Sequence, residues 1–226
     1  MTMPFQRARS DEQRAARRQA ILDTATAMLT EMPVAQVSLN ELSRRVCLAK
    51  SNVLRYFESR EAVLLELLDV ALREWLDHLD DALAAAVDAD APLSRRADQL
   101  AAALAISLAD RPVLCDLVSA QAAVLERNVS PRVAAEYKRA ALANIGVLAQ
   151  LLRARLPELN EPDAARFGAA VMLTTGAVWT HTQPSAAMLA AYEADPSLAA
   201  MRIDFTGAAR EMFEVLLAGL LVRASR

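Results

Sequence analysis

The sequence predicts an all-α fold, and three observations carry that expectation. All five glycines (Gly146, Gly168, Gly176, Gly207 and Gly219) fall after residue 145, which leaves no Gly-turned hairpin before that point. Ala and Leu, both strong helix formers, dominate the chain. Apolar residues recur at three- and four-residue spacings in runs that end at prolines. The expected architecture is a small three-helix helix-turn-helix head, residues 1–60, joined to a larger helical body, residues 61–226.

The elements follow in order. The opening MTMPFQRARS reads as a polar, cationic arm, with Arg7 and Arg9 suited to a minor groove if it meets a duplex and otherwise a loose terminus. Ser10 and Gln13 form a capping-box pair that starts the first helix at about Asp11. Its hydrophobic run, ILDTATAMLTEM, is broken by Pro33. Ser38 and Glu41 form a second, reciprocal capping box, so the next helix begins at Leu39. Leu39, Leu42 and Val46 give it a buried stripe and leave Asn40, Ser43, Arg44 and Arg45 outward or partly so. A further short helix is expected from about Lys50 to Phe57, with Val53 and Phe57 inward and Lys50, Ser51, Asn52, Arg55 and Tyr56 outward.

Breakers divide the body. A long helix continues from Arg60 to about Val87, and others are expected at about 93–109, 112–127, 131–156, 162–182 and 204–223. Ser130 caps the fourth of these, with Pro131 in its first turn. Between Pro184 and Pro196 lies a short apolar piece, AAMLAAY. The run Phe167–Tyr192 has no Asp, Glu, Lys or Arg, but the part before Pro184 is short and rich in Thr, so it reads as a buried helix rather than a membrane span. Gly168 and Gly176, eight residues apart, lie on nearly one face and permit close helix approach.

Charge is distributed unevenly. Residues 1–60 hold ten Arg or Lys against six acids, a net +4, which leaves −7 on the remainder of a chain whose total is −3. A basic head on an acidic body is the asymmetry expected when one end meets a polyanion. Lys, Asn and Arg on a short exposed helix donate to phosphates and read base edges.

Enzyme chemistry finds little support. His78 and His181 are the only histidines, and neither has a second His, Cys or carboxylate at a telling metal-ligand spacing. No phosphate-binding loop, dinucleotide fingerprint or nucleophile elbow is present, so no cofactor is implied. Cys47 and Cys115 show no paired spacing, which makes reduced thiols in a cytoplasm the default. Cys47 is expected to pack under the turn, with oxidant sensing as the alternative.

From about Arg17 to Leu67 the segment resembles the DNA-binding head of TetR-family transcriptional regulators. ILDTATAMLTEM stands for the first helix, Ser38 for the cap of the second, VCLAKSNVLRYF for the turn and recognition helix, and ESREAVLLELL for the link into a long fourth helix. Three positions depart from the family pattern: Cys47 replaces the usual turn Gly, Ala49 a capping Ser and Leu54 a Tyr. Cys47 is therefore expected to take a left-handed or strained backbone conformation.

The resemblance implies that Lys50, Ser51, Asn52 and Arg55 lie against bases or phosphates of double-stranded DNA, with Asn40 near a base edge and Ser38, Tyr56 and Arg60 positioning the backbone. It implies a homodimer through the last two long helices, here including Gly168, Gly176, Phe205, Phe213 and Leu217. It also implies a small, often apolar effector among the central helices, with Trp75, His78, Leu104, Leu117, Gln121, Tyr137, Met172, Thr175 and Trp179 as candidate walls. Two functions stand: a ligand-responsive repressor, or a helical sensor or interaction protein whose head no longer reads sequence.

Overall fold

The computed structural model describes residues 3–224, with side chains for 12–223, and among these the regular structure is entirely helical. The chain divides into two compact units, Met1–Leu68 with Ala120–Tyr137, and Asp69–Ser119 with Lys138–Arg226. The first unit thus runs past the boundary expected after residue 60 and recruits a segment that the sequence assigned to the body.

In the first unit, α1 (Met3–Glu31) begins well before Asp11. Ser10 therefore lies inside a helix and not at its cap, and the expected arm is helical from Met3; the side chains of Arg7 and Arg9 lie outside the described residues. Ile21, Ala25 and Met28, at i, i+4 and i+7, are fully buried, and Leu22 and Leu29 flank them. A 3-10 turn (Val34–Gln36) follows Pro33 and buries Val34.

Helix α2 (Leu39–Arg45) starts where the cap predicts, Ser38 Oγ accepting from the Glu41 N–H at 3.2 Å. The reciprocal half of the box does not form, because the Glu41 carboxylate is taken by Arg44 and Arg45. Ser43, expected outward or partly so, is buried and donates to the Leu39 carbonyl at 2.7 Å. Helix α3 (Lys50–Val53) is shorter than expected. Beyond it the chain coils through tight turns, Arg55 N–H to Asn52 and Tyr56 N–H to Val53, which still carry Val53 and Phe57 into the core. Ser59 then bonds the Ala62 N–H at 3.1 Å, at the start of α4 (Arg60–Ala86), whose residues to Leu68 belong to the first unit.

The second unit takes the rest of α4, then α5 (Leu93–Ala109) and α6 (Pro112–Ala120). The helix expected to reach residue 127 stops at Ala120 and becomes a π-helical turn (Gln121–Leu125) of the first unit. Helix α7 (Pro131–Arg155) has the expected Ser130 cap, its Oγ accepting from the Val133 N–H at 3.3 Å. Helix α8 (Glu161–His181) is capped by Asn160. The apolar piece forms α9 (Ala186–Ala194), followed by a 3-10 turn (Pro196–Met201), and neither buries a residue. Helix α10 (Phe205–Ala224) packs on α5 and α8. No helix of the described residues is long and apolar enough to cross a membrane.

The interior of this unit explains residues that the sequence placed elsewhere. Phe205, Ala209, Phe213 and Leu217 of α10 point inward at four-residue spacing, Phe213 meeting Phe167 edge to face at 6.4 Å and Phe205 meeting Trp179 at 5.5 Å. A Cβ on Gly168 would come within 3.2 Å of the Leu148 side chain, and one on Gly176 within 3.3 Å of the Val118 carbonyl. All five residues expected at a dimer interface are therefore buried within their own chain; both glycines admit α7 and α6 to the surface of α8. The large exposed apolar residues described on α8 and α10 are Leu173, Met212, Val215, Leu216 and Val222.

Candidate nucleic-acid interface

The exposed segment from Cys47 to Arg55 is held by three devices. The first is the turn after α2. The Cys47 N–H donates to the Arg44 carbonyl at 3.3 Å and the Leu48 N–H to the Ser43 carbonyl at 3.0 Å, the paired bonds of a Schellman ending. That ending needs a left-handed residue, and Cys47 supplies it at φ 54°, as its place in the turn predicts. Its thiol is exposed, not packed under the turn, because the side chain of a left-handed residue here leaves the helix pair.

Arg18 of α1 is the second device. One Nη donates to the Tyr56 carbonyl at 2.8 Å, while Nε and the other Nη grip both oxygens of Glu66 on α4. Its guanidinium also lies 4.0 Å from the centre of the Phe57 ring. Arg18 therefore ties the end of the recognition turn to two helices. Reading the sequence missed it, since its partners are 38 and 48 residues away and only its place beside the buried Ile21 and Leu22 hints that it is not a plain surface cation.

The third device is Glu58, whose carboxylate accepts from the Ser130 N–H at 2.5 Å and its hydroxyl at 2.8 Å. The backbone N–H, then the hydroxyl, then nearby Arg132 hold the Glu58 carboxyl below the usual carboxylate range. The bond joins the segment after the recognition turn to the N-cap of α7, both within the first unit.

On this support Lys50, Ser51, Asn52 and Arg55 are exposed together, Tyr56 is half-buried, and Asn40 is exposed at the start of α2. Ala49 offers no side-chain acceptor to the start of α3, as its residue type predicts. Ser38 spends its hydroxyl oxygen on the α2 cap. Arg60 sits 3.7 Å from Glu61, and its buried Nε has no hydrogen-bond partner among the described residues. Paired and unpaired cations separate cleanly here. Arg18, Arg44, Arg45 and Arg60 each lie beside a carboxylate, whereas Lys50 and Arg55 have none among the described residues. Arg44, then Arg45, draw the Glu41 carboxyl from 4.5 down to about 2.

The candidate effector walls have different surroundings among the described residues. Trp75 and His78 line an open cavity of about 300 Å³ in the second unit, with Ile106, Ser107, Asp110 and Arg111. Trp75 Nε1 donates to Ser107 Oγ at 3.0 Å. His78 Nδ1 lies 2.6 Å from the Glu74 carbonyl, which can only accept, so Nδ1 is the donor. Leu104, Leu117 and Thr175 are core residues with no exposed surface, the Thr175 hydroxyl bonding the Val171 carbonyl. Gln121, bonded to Glu126, and Tyr137 belong to the first unit. Met172 and Trp179 are half-buried on α8, and the buried Trp179 indole N–H has no partner among the described residues.

Residues 69–224 match the family described as "Tetracyclin repressor-like, C-terminal domain". The chain is similar in structure to a possible TetR-family transcriptional regulator from Streptomyces coelicolor A3(2), at 22% identity over 94% of this chain and 100% of that one, with a TM-score of 0.54. It is likewise similar to the fatty acid degradation regulator FadR from Bacillus halodurans, at 16% identity over 89% and 98% with a TM-score of 0.52. The transcriptional regulator FadR from Bacillus subtilis gives 12% identity over 89% and 98%, with a TM-score of 0.53. These structural likenesses concern the fold. A comparison with curated protein sequences finds no match.

Proposed function

Because the chain belongs to the TetR family of transcriptional regulators, we propose that it is a cytoplasmic, homodimeric repressor that leaves a palindromic operator when a small, largely apolar effector binds. The observation that carries this reading is the exposed cluster Lys50, Ser51, Asn52 and Arg55, set on a turn that Cys47, Arg18 and Glu58 hold in place. Lys and Arg donate to phosphates and guanines, and an Asn amide pairs with adenine, so this set serves both affinity and sequence choice.

Two heads about one duplex turn apart, ~34 Å, are what a palindrome requires. Helix α10 supports self-association, since Met212, Val215, Leu216 and Val222 form an outward apolar stripe on a helix already apolar inward. Gly219 continues that stripe with open space at its Cβ position, room for the close approach of another helix.

For the effector, the cavity beside Trp75 supplies an apolar wall with His78, Ser107 and Arg111 at hand. The Bacillus subtilis protein is described in complex with stearoyl-CoA. A cavity of about 300 Å³ is at the small end of ligand sites, ~300–1,000 Å³, and favours a smaller molecule here. An effector acts by binding the DNA-incompetent state more tightly, about 1.4 kcal/mol for each tenfold loss of operator affinity.

The test is binding of labelled duplexes, selected from a random library by the purified protein, at near-physiological salt with excess random competitor. Wild type is expected to hold one palindrome at least ~10³-fold above random DNA. Lys50→Ala and Asn52→Ala are each expected to lose about 1–3 kcal/mol of that preference. Selection of no preferred sequence would overturn the repressor reading and leave a helical sensor with a sequence-blind head.

A further inference from the structure

We propose that α1 contributes a second DNA contact, a groove that grips the phosphate backbone through Arg14 and Arg17 together with Arg55. This inference rests on the duplex-binding reading above. An open groove of about 790 Å³ runs between α1 and the end of the recognition turn, and its walls carry those three arginines, Gln13 and Tyr56. No described carboxylate lies among its lining residues or pairs with any of the three cations. Neighbouring Arg18, one residue from Arg17, is by contrast fully committed to Glu66 and the Tyr56 carbonyl.

Arg14 and Arg17 are three apart on a helix, so their side chains rise from one face about 5–6 Å apart. Ala16 and Ala20 also line the groove, and their small side chains let a bulky strand come close. Exposed guanidiniums with no carboxylate partner among the described residues, sharing a groove with Tyr56, fit phosphodiester oxygens, which accept from Arg and carry no sequence information. The groove also shares Arg55 with the recognition segment, so one strand can lie across both. Its function is therefore positioning and affinity, not base choice.

The distinguishing readout is the salt dependence of binding. Each phosphate neutralised contributes about 0.9 to the slope of log K against log salt. The double variant Arg14→Ala with Arg17→Ala, exposed on a helix and built from a strong helix former, is expected to fold as wild type. Its slope should be shallower by about 1.8 per bound protomer on both selected and random duplexes, with the ratio between the two unchanged. Arg14→Glu with Arg17→Glu should weaken both further. Unchanged slopes in variants of wild-type thermal stability would overturn the α1 contact while leaving the repressor reading intact. A lost selected-to-random ratio with an unchanged slope would also overturn it, since the groove would then be reading bases. Wild type that binds no duplex even at low salt would overturn both.

Discussion

The first unit sorts its cations, and the second sorts its apolar residues. Around the recognition turn, four arginines lie beside carboxylates while Lys50 and Arg55 have none among the described residues. On α10, Phe205, Ala209, Phe213 and Leu217 are buried while Met212, Val215, Leu216 and Val222 are exposed. In both regions, residues of one chemical kind divide into those that hold the structure and those left exposed. The difference is that Arg44, Arg45 and Arg60 each have a carboxylate within four residues along the chain, Arg18 being the exception, whereas an inward and an outward Leu on the same helix look alike in sequence.

The largest effect expected from that sorting is on α10. Phe213 has no exposed surface and packs edge to face on Phe167, so Phe213→Ala should cost about 3–5 kcal/mol in denaturant unfolding. Val215 is 68% exposed, and Val215→Ser should leave the stability of an isolated protomer within about 0.5 kcal/mol. It should instead weaken self-association, read as a shift in sedimentation with protein concentration. Equal effects of the two variants on stability, or none of Val215→Ser on association, would erase the distinction between the faces.

This is also where the sequence was least legible. Every long helix was visible from periodicity and breakers, and α4, α5 and α7 end within a residue or so of their expected limits. What periodicity does not give is the partner of each face. Gly168 and Gly176 signalled a close approach correctly, but the approaching elements are Leu148 of α7 and Val118 of α6. Of the candidate effector walls, Leu104 and Thr175 are fully buried and Tyr137 belongs to the first unit, neither of which residue type or helix position reveals. In the head the exposed set was legible because capping, turn chemistry and polarity all act within a few residues. Arg18 was not, since its partners lie far along the chain.

A smaller effect tests the cation side of the comparison. Arg18→Ala removes a bidentate pair, a bond to the Tyr56 carbonyl and the contact with Phe57. Half-exposed as it is, the loss should be about 1–2 kcal/mol of stability, with weaker binding to every duplex. Arg18→Lys should not restore it, because an ammonium cannot span two carboxylate oxygens and a carbonyl in that geometry. Thermal unfolding and duplex titration of both variants decide this; rescue by Lys would reduce Arg18 to a point charge.

Glu41 gives a pH signature. Its carboxyl is lowered from 4.5 to about 2 by Arg44 and Arg45, so the folded state favours the ionised form. That contribution is complete above pH 4.5 and is lost as pH falls toward 2. Glu41→Gln should be less stable than wild type at pH 7, with the gap narrowing through that window. Denaturant midpoints at pH 7 and pH 2.5 measure it, and a gap of constant size would mean that the Arg pairs do not set it.

The smallest effect concerns Cys47, where the support of the recognition turn departs from its simplest chemistry. A side-chain-bearing residue held at φ 54° costs about 1–2 kcal/mol. Replacing it by Gly removes that strain and raises the entropy of the unfolded chain by a similar but smaller amount, about 0.5–1 kcal/mol. Cys47→Gly should therefore be more stable by a few tenths to about 1 kcal/mol, because the bonds from Cys47 to Arg44 and from Leu48 to Ser43 need only the backbone. Cys47→Val should be less stable than either, since β-branching is poorly tolerated in a left-handed turn. Duplex affinity should be unchanged in the Gly variant. If Cys47→Gly folds at least as well as wild type yet loses DNA binding, the exposed thiol contributes to the interface directly, and the division between residues that hold the turn and residues that face a partner would have to be redrawn at this position.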